Sequence, residues 1–327
     1  MEPIVAAVGV FDGLHKGHQK VLKKAVLEAA RLGAKSAVLS FFPHPSKITK
    51  TRDVELISNL DARVKLMEDF GIDYVFIKNF DKKFSLKNPE EFFIYLKEAM
   101  PNIKGIVTGE NFHFGNKALG GADWLKTNAK KYGVRYFCVA GLPYRTRRIS
   151  SSRLREAVKD GNMAEFERMA GRPYYAEGAV EGGRKLGREL GYPTLNLPYA
   201  PECRPPYGVY VAKLYKISKG KLSKPLWGVA SYGLNPSIGK IKSPVLETHL
   251  FETPDFGEGA QIRVELHQFL RREKKFDSLE ALKKQIGEDK EQAQKIAEAA
   301  QNARARAESL RQLRTSAKKD KRVFWRE

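Results

Sequence analysis

Between residue 4 and about residue 142, short apolar runs rich in β-branched and aromatic residues alternate with stretches whose apolar positions recur every three or four residues. The first pattern predicts strands at Ile4 to Phe11, Ala34 to Phe41, Asp73 to Phe80, Lys104 to Glu110 and Val134 to Gly141. The second predicts helices over Gly17 to Leu32, Asp61 to Phe70 and Pro89 to Met100, with Leu60, Val64, Leu66, Met67 and Phe70 as one example of the spacing. Strands separated by helices in this way pair in parallel, because each helix carries the chain back across the sheet.

After Ser150 the rhythm changes. Two short helices are expected, Ser151 to Lys159 and Met163 to Ala170, and then Gly and Pro become frequent from Gly171 to Phe269. Within that stretch Tyr207 to Tyr215, Leu226 to Tyr232, Val245 to Phe251 and Ile262 to Phe269 read as strands that follow one another without helices, which predicts a compact antiparallel barrel or sandwich. A last helix is expected from Ser278 past Gly287 into a tail rich in Ala, Gln, Arg and Lys. With so few large apolar residues, that tail reads as a solvated helix. The domain boundaries expected are 1–165, 166–294 and a basic helical tail at 295–327.

Composition narrows the classes. The 327 residues are 42% hydrophobic and 30% charged, which excludes a largely disordered chain. No apolar run approaches the ~20 residues of a membrane helix, and the start Met1-Glu2-Pro3 lacks the features of a signal peptide. Only two cysteines occur; Cys138 is expected in the core and Cys203 in a Pro-rich loop, with neither a disulfide framework nor a C-x-x-C site. A cytoplasmic location without membrane partners is the expectation. A net charge of +21 favours polyanions of any kind, and nine of the basic residues lie between Arg304 and Arg326.

Candidate chemistry begins where the first strand meets the first helix, at Gly9-Val10-Phe11-Asp12-Gly13-Leu14-His15-Lys16-Gly17-His18. The carboxyl edge of a parallel sheet is where such folds bind ligands, and helix-start amides suit a phosphate. His15 and His18 share a face and can donate to oxygens that gain charge during phosphoryl chemistry. Surface histidines, or a pair of metal ligands, are the competing readings. Arg145, Arg147 and Arg148 precede Ile149-Ser150-Ser151-Ser152-Arg153-Leu154-Arg155, either a second anion site or an N-cap on a solvated basic helix. The two clusters could close on one triphosphate. Asn111-Phe112-His113-Phe114-Gly115 is an aromatic loop that either stacks on a flat ring or packs onto the core.

These motifs resemble the bacterial bifunctional riboflavin kinase/FMN adenylyltransferase family, also called FAD synthetase. Its G-x-F-D-G-x-H-x-G-H appears as Gly9 to His18, its F-x-P-H-P as Phe41-Phe42-Pro43-His44-Pro45, its N/D-F-x-F-G as Asn111 to Gly115 and its I-S-S-S-x-x-R as Ile149 to Arg155. The kinase pattern follows as Gly178-Ala179-Val180, then Gly187-Arg188-Glu189-Leu190-Gly191-Tyr192-Pro193-Thr194-Leu195-Asn196-Leu197, then Gly208-Val209-Tyr210, Glu247-Thr248-His249 and Arg272 to Phe276. The resemblance covers residues 4 to about 294. It implies an α/β fold class: an N-terminal parallel-sheet Rossmann-like nucleotidyltransferase domain, a mostly antiparallel β-barrel riboflavin kinase domain and a C-terminal helix.

The resemblance also implies roles. AMP passes from ATP to FMN in the N-terminal domain, giving FAD and pyrophosphate, with His15, His18 and Arg155 catalytic. Gly9, Phe11, Asp12, Gly17, Asn111, Phe112, Ser150, Ser151 and Ser152 would bind the nucleotides. In the barrel, Gly187 and Arg188 would bind ATP, Thr194 and Asn196 would hold Mg²⁺ and the ATP phosphates, and Glu247 would be the base acting on riboflavin. Alternation along Val245 to Phe251 places Glu247 with Val245 and Phe251, on the face where a barrel keeps apolar side chains. There it is either a partly buried base with a raised pKa or an acid facing solvent from an edge strand.

Two departures stand out. Where the family has G-V-A-N-I-G-x-R-P-T-F, this chain has Gly228-Val229-Ala230-Ser231-Tyr232-Gly233-Leu234-Asn235-Pro236-Ser237-Ile238, and Thr253 to Gly259 replace the usual D-L-Y-G. The alternative they raise is a monofunctional FMN adenylyltransferase whose barrel binds flavin without phosphorylating it. A nucleic-acid role for the basic tail, ending in Phe324-Trp325, is a third reading, set against a plain solvated extension. Homo-oligomerisation is left open by the sequence.

Overall fold

A computed structural model describes residues 2–182, 191–235 and 243–320, without the side chains of Asn235, Arg304, Ala307 and 311–320. The chain forms two compact units: Met1–Asp160 with Glu165–Arg172 and Pro201–Pro205, and Gly161–Ala164 with Pro173–Ala200 and Pro206–Glu327.

The first unit is a five-stranded parallel sheet. Its strands are β1 (Ile4–Val8), β2 (Lys35–Phe42), β3 (Tyr74–Asn79), β4 (Ile103–Gly109) and β5 (Arg135–Val139), in the order β3-β2-β1-β4-β5. All five β1 residues are buried, as a central strand covered on both faces requires, so the sequence there is continuously apolar. On one face α1 (Lys16–Arg31) inserts Val21, Leu22, Ala25 and Ala29 against Val5, Ala7 and Val38, with Met67 of α3 (Leu60–Glu68) beside them. On the other face Phe92, Phe93 and Leu96 of the helix Pro89–Ala99 pack on Ala6, Leu39, Phe41 and Ile106. That helix opens with a capping box: Asn88 accepts the Glu91 amide while Glu91 accepts the Asn88 amide. All five predicted strands and three predicted helices of this half are present, with ends shifted by at most three residues.

Because β1 has β2 on one side and β4 on the other, the connections leaving their carboxyl ends diverge and open a crevice above β1. The short helix α2 (Pro45–Thr49) and the helix Ser151–Lys159, whose N-cap is Ser150, start at this edge. Cys138 departs from expectation. It is exposed, because β5 is the edge strand and is buried only at Val139.

The second unit is a curled antiparallel sheet of β6 (Tyr174–Ala179), β7 (Thr194–Pro198), β8 (Gly208–Ser218), β9 (Leu226–Asn235), β10 (Ser243–Leu250) and β11 (Gln261–Arg272), in the order β6-β11-β8-β9-β10-β7. A bridge between Glu181 and Asn196 links the chain just beyond β6 to β7, so the two ends of the sheet approach closure. β6 and β7 were not expected. A five-residue run after Pro193 carries little pattern of its own and is held as a strand by five successive pairings with β10. Along β10 the buried residues are Pro244, Leu246, Thr248 and Leu250. Glu247 therefore lies on the half-buried alternate face with Val245 and His249, not on the fully buried one that alternation suggested.

A single helix, Leu279–Asp320, follows. Asp289, Ala293 and Ala297, four residues apart, are its buried stripe, and Asp289 pairs with Arg271 of β11 at 2.6 Å. From Glu298 onward every described side chain is exposed, as expected of a solvated tail.

Candidate functional site

The loop after β1 folds into a tight shape that fixes two imidazoles. Phe11 adopts left-handed backbone (φ 58, ψ 30) and its ring stands perpendicular to that of His18, at 5.3 Å between centroids. Gly13 has φ +71, and a Cβ there would stand 2.8 Å from the Ile57 Cδ1. Past this turn His15 caps α1: its Nδ1 accepts the His18 amide at 3.1 Å. That bond fixes the tautomer, leaving Nε2 as the protonated, donating nitrogen. The His15 and His18 rings stack at 3.6 Å and 19°. A Cβ on Gly17 would lie 3.0 Å from the His15 ring, so glycine there keeps the stack in place.

Burial pushes the His15 pKa down to about 4, a backbone hydrogen bond opposing and Arg172 assisting. Burial and then its neighbour His15 hold His18 well below the usual imidazole range. Both rings are neutral near pH 7. They can donate hydrogen bonds there without adding charge.

The serine cluster comes to the same loop. Ser151 Oγ donates to the Asp12 carbonyl at 2.9 Å, Ser150 Oγ accepts the Arg153 amide at 3.3 Å and caps its helix, and Ser152 is exposed. Arg155 Nη2 donates to Asp12 Oδ2 at 2.6 Å and its Nε to the Glu55 carbonyl at 2.8 Å. Asp12, 2% exposed, also accepts the amides of Ile57 and Ser58 at 3.1 and 3.2 Å. Its carboxylate is thus engaged within the protein, tying Arg155 and the segment 55–58 to the loop. Gly9 donates its amide to the Leu39 carbonyl within β2 and lies against the Phe11 ring.

Asn111 and Phe112 sit one strand away, after β4. Asn111 Oδ1 accepts from Arg148 at 3.3 Å, and Arg148 also pairs with Glu110 at 2.6 Å. Phe112 is half-buried and stacks at 5.5 Å on Phe114, which is in the core, so this loop packs inward while leaving one ring partly accessible.

Three cationic or imidazole side chains escaped assignment from the sequence. His44 accepts the Ser46 amide on Nδ1 at 3.1 Å, and burial, then Arg155 and Arg52, lower its pKa to about 4. Arg172 donates to the Gly13 and Leu14 carbonyls at 3.0 and 3.4 Å, bracing the histidine loop. Arg63, 1% exposed, donates Nη1 to the Val10 carbonyl at 2.9 Å, and its Nε and Nη2 have no hydrogen-bond partner among the described residues. Desolvation pulls its pKa down, while Asp12 and Glu202 oppose.

In the second unit the ladder collects the kinase candidates. Thr194 lies opposite His249 and Asn196 opposite Glu247, while Ser231 of β9 lies opposite Glu247 on the other side. Directly opposed residues share a face, so Thr194, Asn196, Ser231, Glu247 and His249 form one half-buried polar row. His249 donates through Nδ1 to the Pro193 carbonyl, 3.0 Å away, and its Nε2 has no partner among the described residues. Ser231 is one of the departures from the family pattern, and it stands beside Glu247. Gly187, Arg188 and Ser237 lie outside the described residues.

Comparison with known proteins matches both halves. A family model described as FAD synthetase covers residues 1–153, and one described as riboflavin kinase covers residues 170–297. The bifunctional riboflavin kinase/FMN adenylyltransferase of Escherichia coli (strain K12) is 31% identical over 294 residues, 88% of this chain and 91% of that protein. The enzyme of the same name from Bacillus subtilis (strain 168) is 32% identical over 297 residues, with coverages of 88% and 91%. A crystal structure titled macrolide-efflux protein, from Streptococcus pneumoniae, superposes with a TM-score of 0.76 at 28% identity, over 88% of this chain and 92% of that one.

Proposed function

The chain belongs to the bifunctional riboflavin kinase/FMN adenylyltransferase family, making FMN from riboflavin and FAD from FMN with ATP in both steps, and from that premise we propose how its residues divide the work. In the first unit a phosphate oxygen of FMN attacks the α-phosphorus of ATP, the bond from that phosphorus to the bridging oxygen breaks, and pyrophosphate leaves. His15 donates from Nε2, and His18 stacks beside it, toward phosphate oxygens that gain charge in the transition state. Ser150, Ser151 and Ser152 open the helix that receives the pyrophosphate end, with Arg155 beside them. Gly9, Phe11 and Gly17 shape the nucleotide loop, Asp12 serves it by holding Arg155, and Asn111 and Phe112 border the flavin side. The observation that carries this reading is the joining of the two motifs through Asp12, at 2.6 Å to Arg155 and 2.9 Å to Ser151. No covalent intermediate is needed, so the rate comes from positioning and electrostatics.

In the second unit Glu247 takes the proton of the ribityl 5'-hydroxyl as that oxygen attacks the γ-phosphorus of ATP and ADP departs. The oxygens of Asn196, opposite that carboxylate, and of Thr194 on the same half-buried face form the hard donor set that suits Mg²⁺. When bound, Mg²⁺ neutralises charge on the transferring phosphoryl group. Gly187 and Arg188 are proposed for the ATP phosphates.

A chromatographic time course with riboflavin, ATP and Mg²⁺ tests both halves. The parent is expected to form FMN and then FAD. Glu247→Ala should form FAD only when FMN is supplied, and His15→Ala should stop at FMN. Riboflavin phosphorylation by Glu247→Ala at the parent rate would remove Glu247 from the role of base.

A further inference from the structure

Five residues from the kinase half of the sequence belong to the other unit. Pro201–Pro205 lies between β7 and β8 in the chain, inside the span matched by the riboflavin kinase model, yet it packs as part of the first compact unit. The attachment engages both backbone polar groups of Leu56. Glu202 Oε2 accepts the Leu56 amide at 2.9 Å, and the Cys203 amide donates to the Leu56 carbonyl at 3.1 Å, so both polar groups of one peptide position are held. Cys203 is fully buried at 0% exposure and Leu56 is 5% exposed, which anchors the clamp in the core.

Leu56 sits between the two residues that organise the adenylyl-transfer site. The preceding carbonyl, of Glu55, receives Arg155 Nε at 2.8 Å, and the following amide, of Ile57, donates to Asp12 at 3.1 Å. Asp12 in turn holds Arg155 Nη2 at 2.6 Å. A shift of Leu56 therefore moves an acceptor and a donor that together fix the arginine in orientation. The ion pair Lys47–Glu202 at 2.6 Å is half-exposed, and pairs of that kind contribute little by themselves.

We propose that Glu202 is a positioning residue for FMN adenylylation, acting through Leu56 on the Asp12–Arg155 pair. The adenylyltransferase site is then completed by a segment that the chain supplies only after it has begun the kinase sheet. This rests on the role given to Arg155 above.

The test uses the full-length enzyme and measures both reactions for each variant. Glu202→Ala is expected to lower kcat for FAD formation from FMN by about five- to thirtyfold, as loss of a charge-assisted hydrogen bond in a positioning chain does, with a smaller change in KM. Riboflavin phosphorylation should stay within about twofold. Glu202→Gln, which keeps an acceptor for the Leu56 amide, should restore FAD formation to within about threefold of the parent, and Lys47→Ala should behave like the parent. In an Arg155→Ala background, Glu202→Ala should add almost nothing, since its route is already cut.

Parent-like kcat in Glu202→Ala, equal loss of both reactions, or a full additional loss in the Arg155→Ala background each overturns the proposal. Should Glu202→Ala precipitate, Glu202→Asp, one methylene short of the Leu56 amide, takes its place with the same expected loss. If Arg155→Ala alone leaves FAD formation intact, the reading of the site itself fails. If Arg155→Ala is slow and Glu202→Ala is not, only the role of Glu202 fails.

Discussion

The neutrality of His15 has a thermodynamic signature. Its pKa lies at about 4 in the folded chain against an ordinary 6.5, chiefly through burial, and only 6% of the residue is exposed. The unfolded chain therefore binds the proton first as pH falls, so this histidine removes stability from pH 6.5 downward until the folded state titrates near pH 4. Integrating the proton difference between pH 7 and pH 5 gives about 2 kcal/mol lost, a sizeable share of the ~5–15 kcal/mol that holds a domain together. His15→Asn isolates the effect, because Asn is a strong N-cap that can accept the His18 amide but does not titrate. The assay is hydrogen exchange of the β1 amides at both pH values, corrected for intrinsic exchange, which reports on the first unit alone. Between pH 7 and pH 5 the parent should lose about 2 kcal/mol more protection than His15→Asn, roughly thirtyfold in opening. Equal losses in the two proteins would refute a buried, neutral His15. His44, also depressed by burial, steepens the acid limb in both proteins and so cancels in the comparison, and burial, the larger cause of the His18 depression, acts in both.

Gly17→Ala introduces a Cβ 3.0 Å from the His15 ring. FAD formation should fall about ten- to hundredfold, as sub-ångström misplacement of a catalytic group does, while riboflavin phosphorylation stays unchanged; parent-like FAD synthesis would show that the histidine stack is not tuned to the reaction. Asp289→Ala leaves Arg271 without the carboxylate that accepts two of its nitrogens at 2.6 and 2.9 Å, and should destabilise the kinase unit by about 3 kcal/mol. A lowered midpoint for thermal loss of riboflavin phosphorylation checks it, and an unchanged midpoint would mean that the final helix is held by its alanine stripe alone.

The fold is legible in the sequence where burial is symmetric. β1 is apolar throughout because helices cover both faces, and α1 and α3 show helical spacing because each covers one. Pattern fails where a strand exists by virtue of its neighbours. Thr194–Pro198 takes its conformation from β10, while Pro193-Thr194-Leu195-Asn196 by themselves suggest only a turn. Alternation correctly separates Glu247 from Leu246 and Thr248, yet it carries no label for which face is the buried one. Cys138 shows the same limit, since an apolar run does not say whether its strand lies at the edge.

Site residues divide along a related line. The histidines, the serines and Arg155 belong to contiguous motifs, so their chemistry can be read locally, and the sheet topology then joins them above β1. Arg63 carries a subtler signal. It falls three residues after Leu60 and four before Met67, on the apolar stripe of α3, where a charged residue is either an error of register or a buried group with a structural purpose. Its bond to the Val10 carbonyl, which Ser40 Oγ also reaches at 3.1 Å, supplies that purpose by holding the loop after β1. Glu202 offers no such signal. Its partner Leu56 lies 146 positions earlier, across a boundary that every linear criterion places between two domains. Motifs disclose the groups proposed to meet substrate because chemistry dictates their spacing, whereas the groups proposed to aim them are chosen by the folded geometry and leave no spacing to find.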